Sequence, residues 1–143
     1  MNKICTDINQ SMKLIELGLD VNTSDMYYPN RTDIQYQGAL PIGMKHGNSL
    51  LAQEIPAWSL TALLKLIKSE IYGETIYGDT ITYKVKFRKY KFTVDLYQIA
   101  YGNYKNYEDG SSSWKDMINT GQKEDPIDAA FQMVCWLKEN GKL

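Results

Sequence analysis

Few residues of this chain stand where chemistry could be done. The single histidine, His46, lies between Lys45 and Gly47 in a glycine-punctuated stretch. A metal site would want further His, Cys or carboxylate ligands at ligand spacing, and none is grouped with it. Catalytic use of His46 would also need a nucleophile or acid partner. The carboxylate pairs Glu108-Asp109 and Glu124-Asp125 fall in polar stretches, whereas acid–base work needs two groups held in different environments. No phosphate loop, dinucleotide fingerprint or nucleophile elbow is present. The residues therefore predict no catalysis, no cofactor and no metal.

Two other groups of side chains point to binding. Lys84, Lys86, Arg88, Lys89 and Lys91 gather within eight residues, a basic cluster able to contact phosphates. Tyr97 and Tyr101 follow closely and offer rings on which bases stack. Lysines on the outer face of a sheet also serve simply to keep it soluble. The second group is aromatic: the chain has 11 tyrosines and three tryptophans. Tyr27, Tyr28, Tyr36, Tyr101, Tyr104 and Tyr107 fall in turn-rich or polar stretches, and such rings are enriched at protein interfaces.

Charge and length narrow the classes. With 16 Lys+Arg against 17 Asp+Glu, no global field draws the molecule to nucleic acid or an anionic membrane. At 143 residues the chain fits one domain able to bury a sizeable core. Cys5 and Cys135 lie near opposite ends within apolar patterns, which suits reduced, buried thiols better than a disulfide framework. The opening Met1-Asn2-Lys3-Ile4-Cys5-Thr6-Asp7 turns polar too soon for a signal peptide, and no run approaches the ~18 apolar residues of a membrane span. A cytoplasmic location is expected, without membrane contact.

The elements that must position these side chains can be read in order. A helix is predicted over 7–17: Thr6 or Asp7 caps it, Gln10 completes a capping box, Gly18 follows it, and Ile8, Met12, Leu14 and Ile15 form its buried face. Residues 29–49 read as a long loop containing Tyr36 and His46. The dense apolar run from Ile55 to Ile67 predicts a central helix over 57–68, with Pro56 in its first turn and Ser59 as a second possible cap. Leu60, Leu63, Leu64 and Ile67 fall on one stripe.

Strict alternation then runs through Ile81, Tyr83, Val85 and Phe87, and resumes through Tyr90, Phe92, Val94 and Leu96. Placing a two-residue turn at Arg88-Lys89 pairs Phe87 with Tyr90 and Val85 with Phe92, and sets Lys86 opposite Lys91, a costly like-charge pair unless something negative is near. The turn chemistry objects, since neither residue is the Gly or Asn that tight hairpins prefer. With a further turn at Gly78-Asp79 setting Ile76 opposite Ile81, the reading is a three-stranded antiparallel meander over 75–99. Residues 101–122 read as a polar loop, in which a turn at Trp114–Ile118 docks onto the core. The last helix, 126–140, is capped by Asp125, started by Pro126 and ended at Gly141. The predicted architecture is α+β: a single compact domain with a three-stranded antiparallel meander packed against about three α-helices.

Three stretches together carry a resemblance. Ile4-Cys5-Thr6-Asp7-Ile8 through Leu17-Gly18-Leu19, Ile55-Pro56-Ala57-Trp58-Ser59-Leu60-Thr61-Ala62-Leu63-Leu64, and Asp125-Pro126-Ile127-Asp128-Ala129-Ala130-Phe131 through Trp136-Leu137-Lys138-Glu139-Asn140-Gly141 resemble a family of small uncharacterised proteins from Bacteroides-type gut anaerobes and their phages and mobile elements. The resemblance implies a small accessory protein and assigns no catalytic residue. The expectation is an intracellular, non-catalytic protein-binding module with Tyr27, Tyr28, Tyr36, Tyr101, Tyr104 and Tyr107 as candidate interface. The alternative is a nucleic-acid-binding protein using the basic hairpin 84–91.

Overall fold

The computed structural model of the chain describes residues 3–29, 42–43 and 54–143; Tyr36, His46 and nearly all of the predicted loop 29–49 lie outside them. The fold is α+β. Helix α1 spans Ile8–Glu16 and starts where the capping box put it: the Asp7 carboxylate accepts from the Gln10 amide, and the Gln10 side chain accepts from the Asp7 amide. Leu14 is buried beside partly buried Ile15, but Met12, expected inside, is half exposed. A short 3-10 turn at Val21–Thr23 leads into strand β1 (Met26–Tyr28), which pairs antiparallel with the two-residue β2 (Ile42–Gly43) and with β3 (Ile55–Ala57).

Pro56 belongs to β3, opposite Tyr27, rather than to a helix. Because β3 lies at the edge of the small sheet, a missing N–H is tolerated there. Helix α2 therefore begins later and is shorter than the predicted 57–68, spanning Leu60–Leu66, with the Ser59 hydroxyl accepting from the Ala62 amide. Between them Trp58 is wholly buried; its backbone exchanges hydrogen bonds with Thr6, and its indole N–H donates to Thr23 Oγ1 at 2.9 Å.

The main sheet has four strands rather than three: β4 (Glu70–Glu74), β5 (Thr80–Lys91), β6 (Asp95–Asn106) and β7 (Ser112–Asn119), antiparallel in sequential order. The turn before β5 spans Thr75 to Asp79, so Ile76 sits in it, 93% exposed, and Gly73 rather than Ile76 faces Ile81. Strand β5 runs straight through Arg88-Lys89, and the chain reverses at Phe92–Val94, pairing Lys91 with Asp95 and Lys86 with Ala100. The like-charge pair Lys86/Lys91 does not form. Continuing the strand puts Phe87 and Tyr90 on opposite faces, so the two apolar series do not share one face. Neither Arg nor Lys favours the positive φ of a tight hairpin turn, and the longer reversal asks for none.

The stretch 101–122, expected as a loop, is mostly strand. Its polarity has a structural reason: no described element covers one face of the sheet, as antiparallel sheets allow. A bulge separates the pairs Tyr101/Ile118 and Gly102/Asp116, leaving Met117 as the extra residue. Here a Cβ on residue 102 would lie 2.2 Å from the Lys115 carbonyl oxygen, so only glycine fits.

Helix α3 (Pro126–Glu139) is capped by Asp125, whose carboxylate accepts from the Ile127 amide at 2.8 Å. The odd-numbered face of the sheet, through Ile71, Ile99 and Tyr101, packs with Leu14, Trp58 and Leu63 and with Ile127, Met133, Val134 and Leu137 of α3 in one core. A smaller cluster joins Cys5, Tyr28 and Ala57. Near the chain's start, Lys3 donates from its backbone N–H to Asp125 and from its ammonium to Asp7 and Asp128. Burial disfavours that ammonium, but the two carboxylates outweigh it and raise its pKa.

Candidate functional site

The even-numbered face of the sheet carries the most ordered group of polar and aromatic side chains. Period-two geometry places Lys86, Arg88 and Tyr90 of β5 beside Gln98 and Tyr104 of β6 and Trp114 and Asp116 of β7. At its centre the Arg88 guanidinium donates to both Asp116 oxygens, at 2.7 and 2.8 Å. Asp116 also accepts from the Trp114 indole N–H at 2.6 Å and from the Asn119 amide at 3.2 Å. Arg88 donates further to Gln98 Oε1, which accepts from the Tyr90 hydroxyl as well. The paired guanidinium, the indole and the Asn119 amide hold the Asp116 carboxyl at a pKa of about 2, and its charge raises that of Arg88 in return.

The rings are oriented by the same contacts. Trp114 meets Tyr104 edge-on, with centroids 5.3 Å apart, and the Lys86 ammonium lies 4.7 Å from the indole centroid. Tyr104 is 60% exposed, while Arg88 and Asp116 are about one-fifth exposed. Beneath them Ala100 is fully buried. Two hydrogen bonds in the plane of the fork and one to the indole leave few rotamers open, so little ordering remains for a partner to impose.

The structure divides the candidate interface tyrosines. Tyr104 and Tyr107 are exposed, whereas Tyr27, Tyr28 and Tyr101 are buried. The Tyr101 hydroxyl donates to the Lys68 carbonyl and that of Tyr28 to the Thr6 carbonyl. Burial pushes Tyr101 up to about 12 and raises Tyr28 as well. Tyr36 lies outside the described residues. The spacing of three between Tyr101 and Tyr104 crosses from one face of β6 to the other, which explains why one is core and the next is not.

The basic cluster is divided too. Lys84, Lys86 and Arg88 occupy the open face; Lys89 and Lys91 occupy the other. Arg88 is neutralised by Asp116, Lys89 pairs with Asp95 at 3.3 Å, and Lys84 stands opposite Glu70. Sequence reading passed over Asp116 and Gln98, and took Trp114 for part of a docking turn. A usable signal existed in Trp114-x-Asp116, whose two-residue spacing places both on one strand face.

Other groups bear on chemistry only weakly. The Cys5 and Cys135 thiols are free and buried; burial pushes Cys5 up and Cys135 to about 11, which keeps them protonated. Among the described residues no three of His, Cys, Asp and Glu gather as a metal-binding group, and no helix is long and apolar enough to cross a membrane. Comparison of the chain with protein-family models, curated proteins and solved structures finds no match.

Proposed function

We propose that this chain is a small, non-catalytic protein-binding module that meets its partner through the open face of the sheet, with Trp114 and Tyr104 as anchors. The observation that carries the reading is the fixed Arg88–Asp116–Trp114 group beside exposed Tyr104. Trp, Tyr and Arg dominate binding hot spots, and rings already held in place bind at a lower entropic cost. The resemblance to accessory proteins of gut anaerobes and their phages and mobile elements supplies the proposed setting, in the cytoplasm of such a host.

The test is a photo-crosslinking residue at position 104, with one at exposed position 76 as control, in a Bacteroides-type host carrying a phage or mobile element. One protein species is expected to crosslink from 104 and not from 76, and to disappear with Trp114→Ala. Absence of a Trp114-dependent species would reject the reading. The alternative, a nucleic-acid contact along 84–91, draws support from Lys86 over Trp114, but Arg88 and Lys89 are already paired. Parent protein is expected not to bind a labelled single strand at ~20 mM salt, where screening is weak. Anisotropy showing salt-sensitive binding would replace the protein reading with this one.

A further inference from the structure

The sheet has two outer strands, and they end differently. On β4 the Lys142 ammonium donates to the Tyr72 carbonyl at 2.6 Å, covering part of that edge with the chain's last residues. Strand β7 pairs with β6 on one side and, among the described residues, with no strand on the other. It therefore presents free backbone donors and acceptors at alternate residues from Ser112 to Asp116, up to the bulge at Met117.

Three features decide what that edge accepts. Lys105 and Lys115 stand on the odd-numbered face of the β6–β7 hairpin, and among the described residues neither forms an ion pair. Beside Lys115, at the bulge, a cavity of about 230 Å³ is lined by Tyr83, Asn103, Asp116 and Met117 as well; the Asp116 carboxylate is held by Arg88 on the other face of the sheet. The third feature is what the edge refuses. A two-fold antiparallel pairing of β7 with a second copy keeps each face on its own side, so the residue at the axis faces itself. Centred pairings then set Lys115 against Lys115 or Asp116 against Asp116, and like charges directly opposite are destabilising.

We infer that β7 receives an extended segment of a partner protein as a fifth strand, with a carboxylate side chain facing Lys115 at the mouth of this cavity. Main-chain hydrogen bonds supply attachment, and the Lys115 ammonium and the cavity supply selection, the usual division of labour in strand addition. The rejection of a like strand and acceptance of an acidic one use the same lysine. Residues of the added strand on its other side run beside Trp114, so the inference rests on the proposed protein-binding role and extends it.

The probe is a capped octapeptide alternating Glu and Thr, at millimolar concentration, against its Lys/Thr counterpart and two versions N-methylated at alternate residues in opposite phases. The Glu peptide is expected to slow amide hydrogen exchange across 112–119 and to bind about fivefold tighter than the Lys peptide. Lys115→Glu, a change at an exposed position, is expected to reverse that preference. One N-methylated phase should abolish protection and the other retain it. No protection by the Glu peptide, equal behaviour of the two N-methylated forms, or indifference to Lys115→Glu overturns the inference. If peptide protection fails while Trp114-dependent crosslinks persist, the edge is wrong and the open-face reading stands; the reverse pattern rejects the open face alone.

Discussion

Asp116 gathers four donors on one carboxylate, and its charge state controls the group around it. Its pKa is depressed in the folded protein to about 2, below the unfolded value of about 3.9. The associated stability is therefore fully present above the ordinary carboxylate range and is lost as pH falls from about 4 toward 2. For a pair about one-fifth exposed, solvent screening reduces the contribution to about 1 kcal/mol. Asp116→Asn is expected to lower stability by that amount at pH 7, with the difference from the parent shrinking below about pH 4 and vanishing only below the folded pKa of about 2 in urea melts. Core positions should separate by burial: Leu63, wholly buried, is expected to cost roughly 2–5 kcal/mol on Leu63→Ala, and partly buried Phe131 distinctly less on Phe131→Ala. Equal losses would show that the partial exposure of Phe131 has no energetic meaning. Residues acting on near neighbours were legible in the sequence, as Asp7 with Gln10 and Asp125 before Pro126 show. The Arg88–Asp116 pair, 28 residues apart, was not, because only the strand register brings the two together.

At the level of elements, α1 and α3 announced themselves through their caps, whereas Pro56 drew the predicted start of α2 into what is strand β3, and strands were misread where one alternation passed into another. Phe87 followed by Tyr90 looks like a break in phase; it is a strand whose apolar residues change faces. The antiparallel arrangement was legible in the alternation, but β6 beyond Tyr101 and all of β7 were hidden by the polarity of a face that no described element covers. The bulge between these strands depends on Gly102, so Gly102→Ala is expected to destabilise by about 2 kcal/mol or more, since the neighbouring backbone must shift. A melt within ~0.5 kcal/mol of the parent would show that the crossing is looser than its geometry. Lys115→Thr removes the like charge at the centre of a self-paired β7 and is expected to raise the dimer fraction seen in sedimentation relative to the parent. An unchanged distribution would remove the argument that Lys115 opposes self-pairing.

Across the whole molecule, Lys3 holds residues 122 and 125 positions away in the sequence, Asp125 and Asp128. Contacts of that separation close a loop containing nearly the entire chain, and such closures come late because their entropy must be met before they stabilise anything. The Lys3 contacts are therefore expected to act as a clasp, fastened after the sheet and helices have assembled. A clasp absent from the transition state affects only escape from the native state. Lys3→Ala is expected to leave the refolding rate unchanged while raising the unfolding rate about threefold, read from the two arms of a chevron plot. A slowed folding arm would mean that the two ends of the chain meet early. Because the folding rate is expected to stay the same, the whole loss of stability in Lys3→Ala would appear as a shorter lifetime of the folded state.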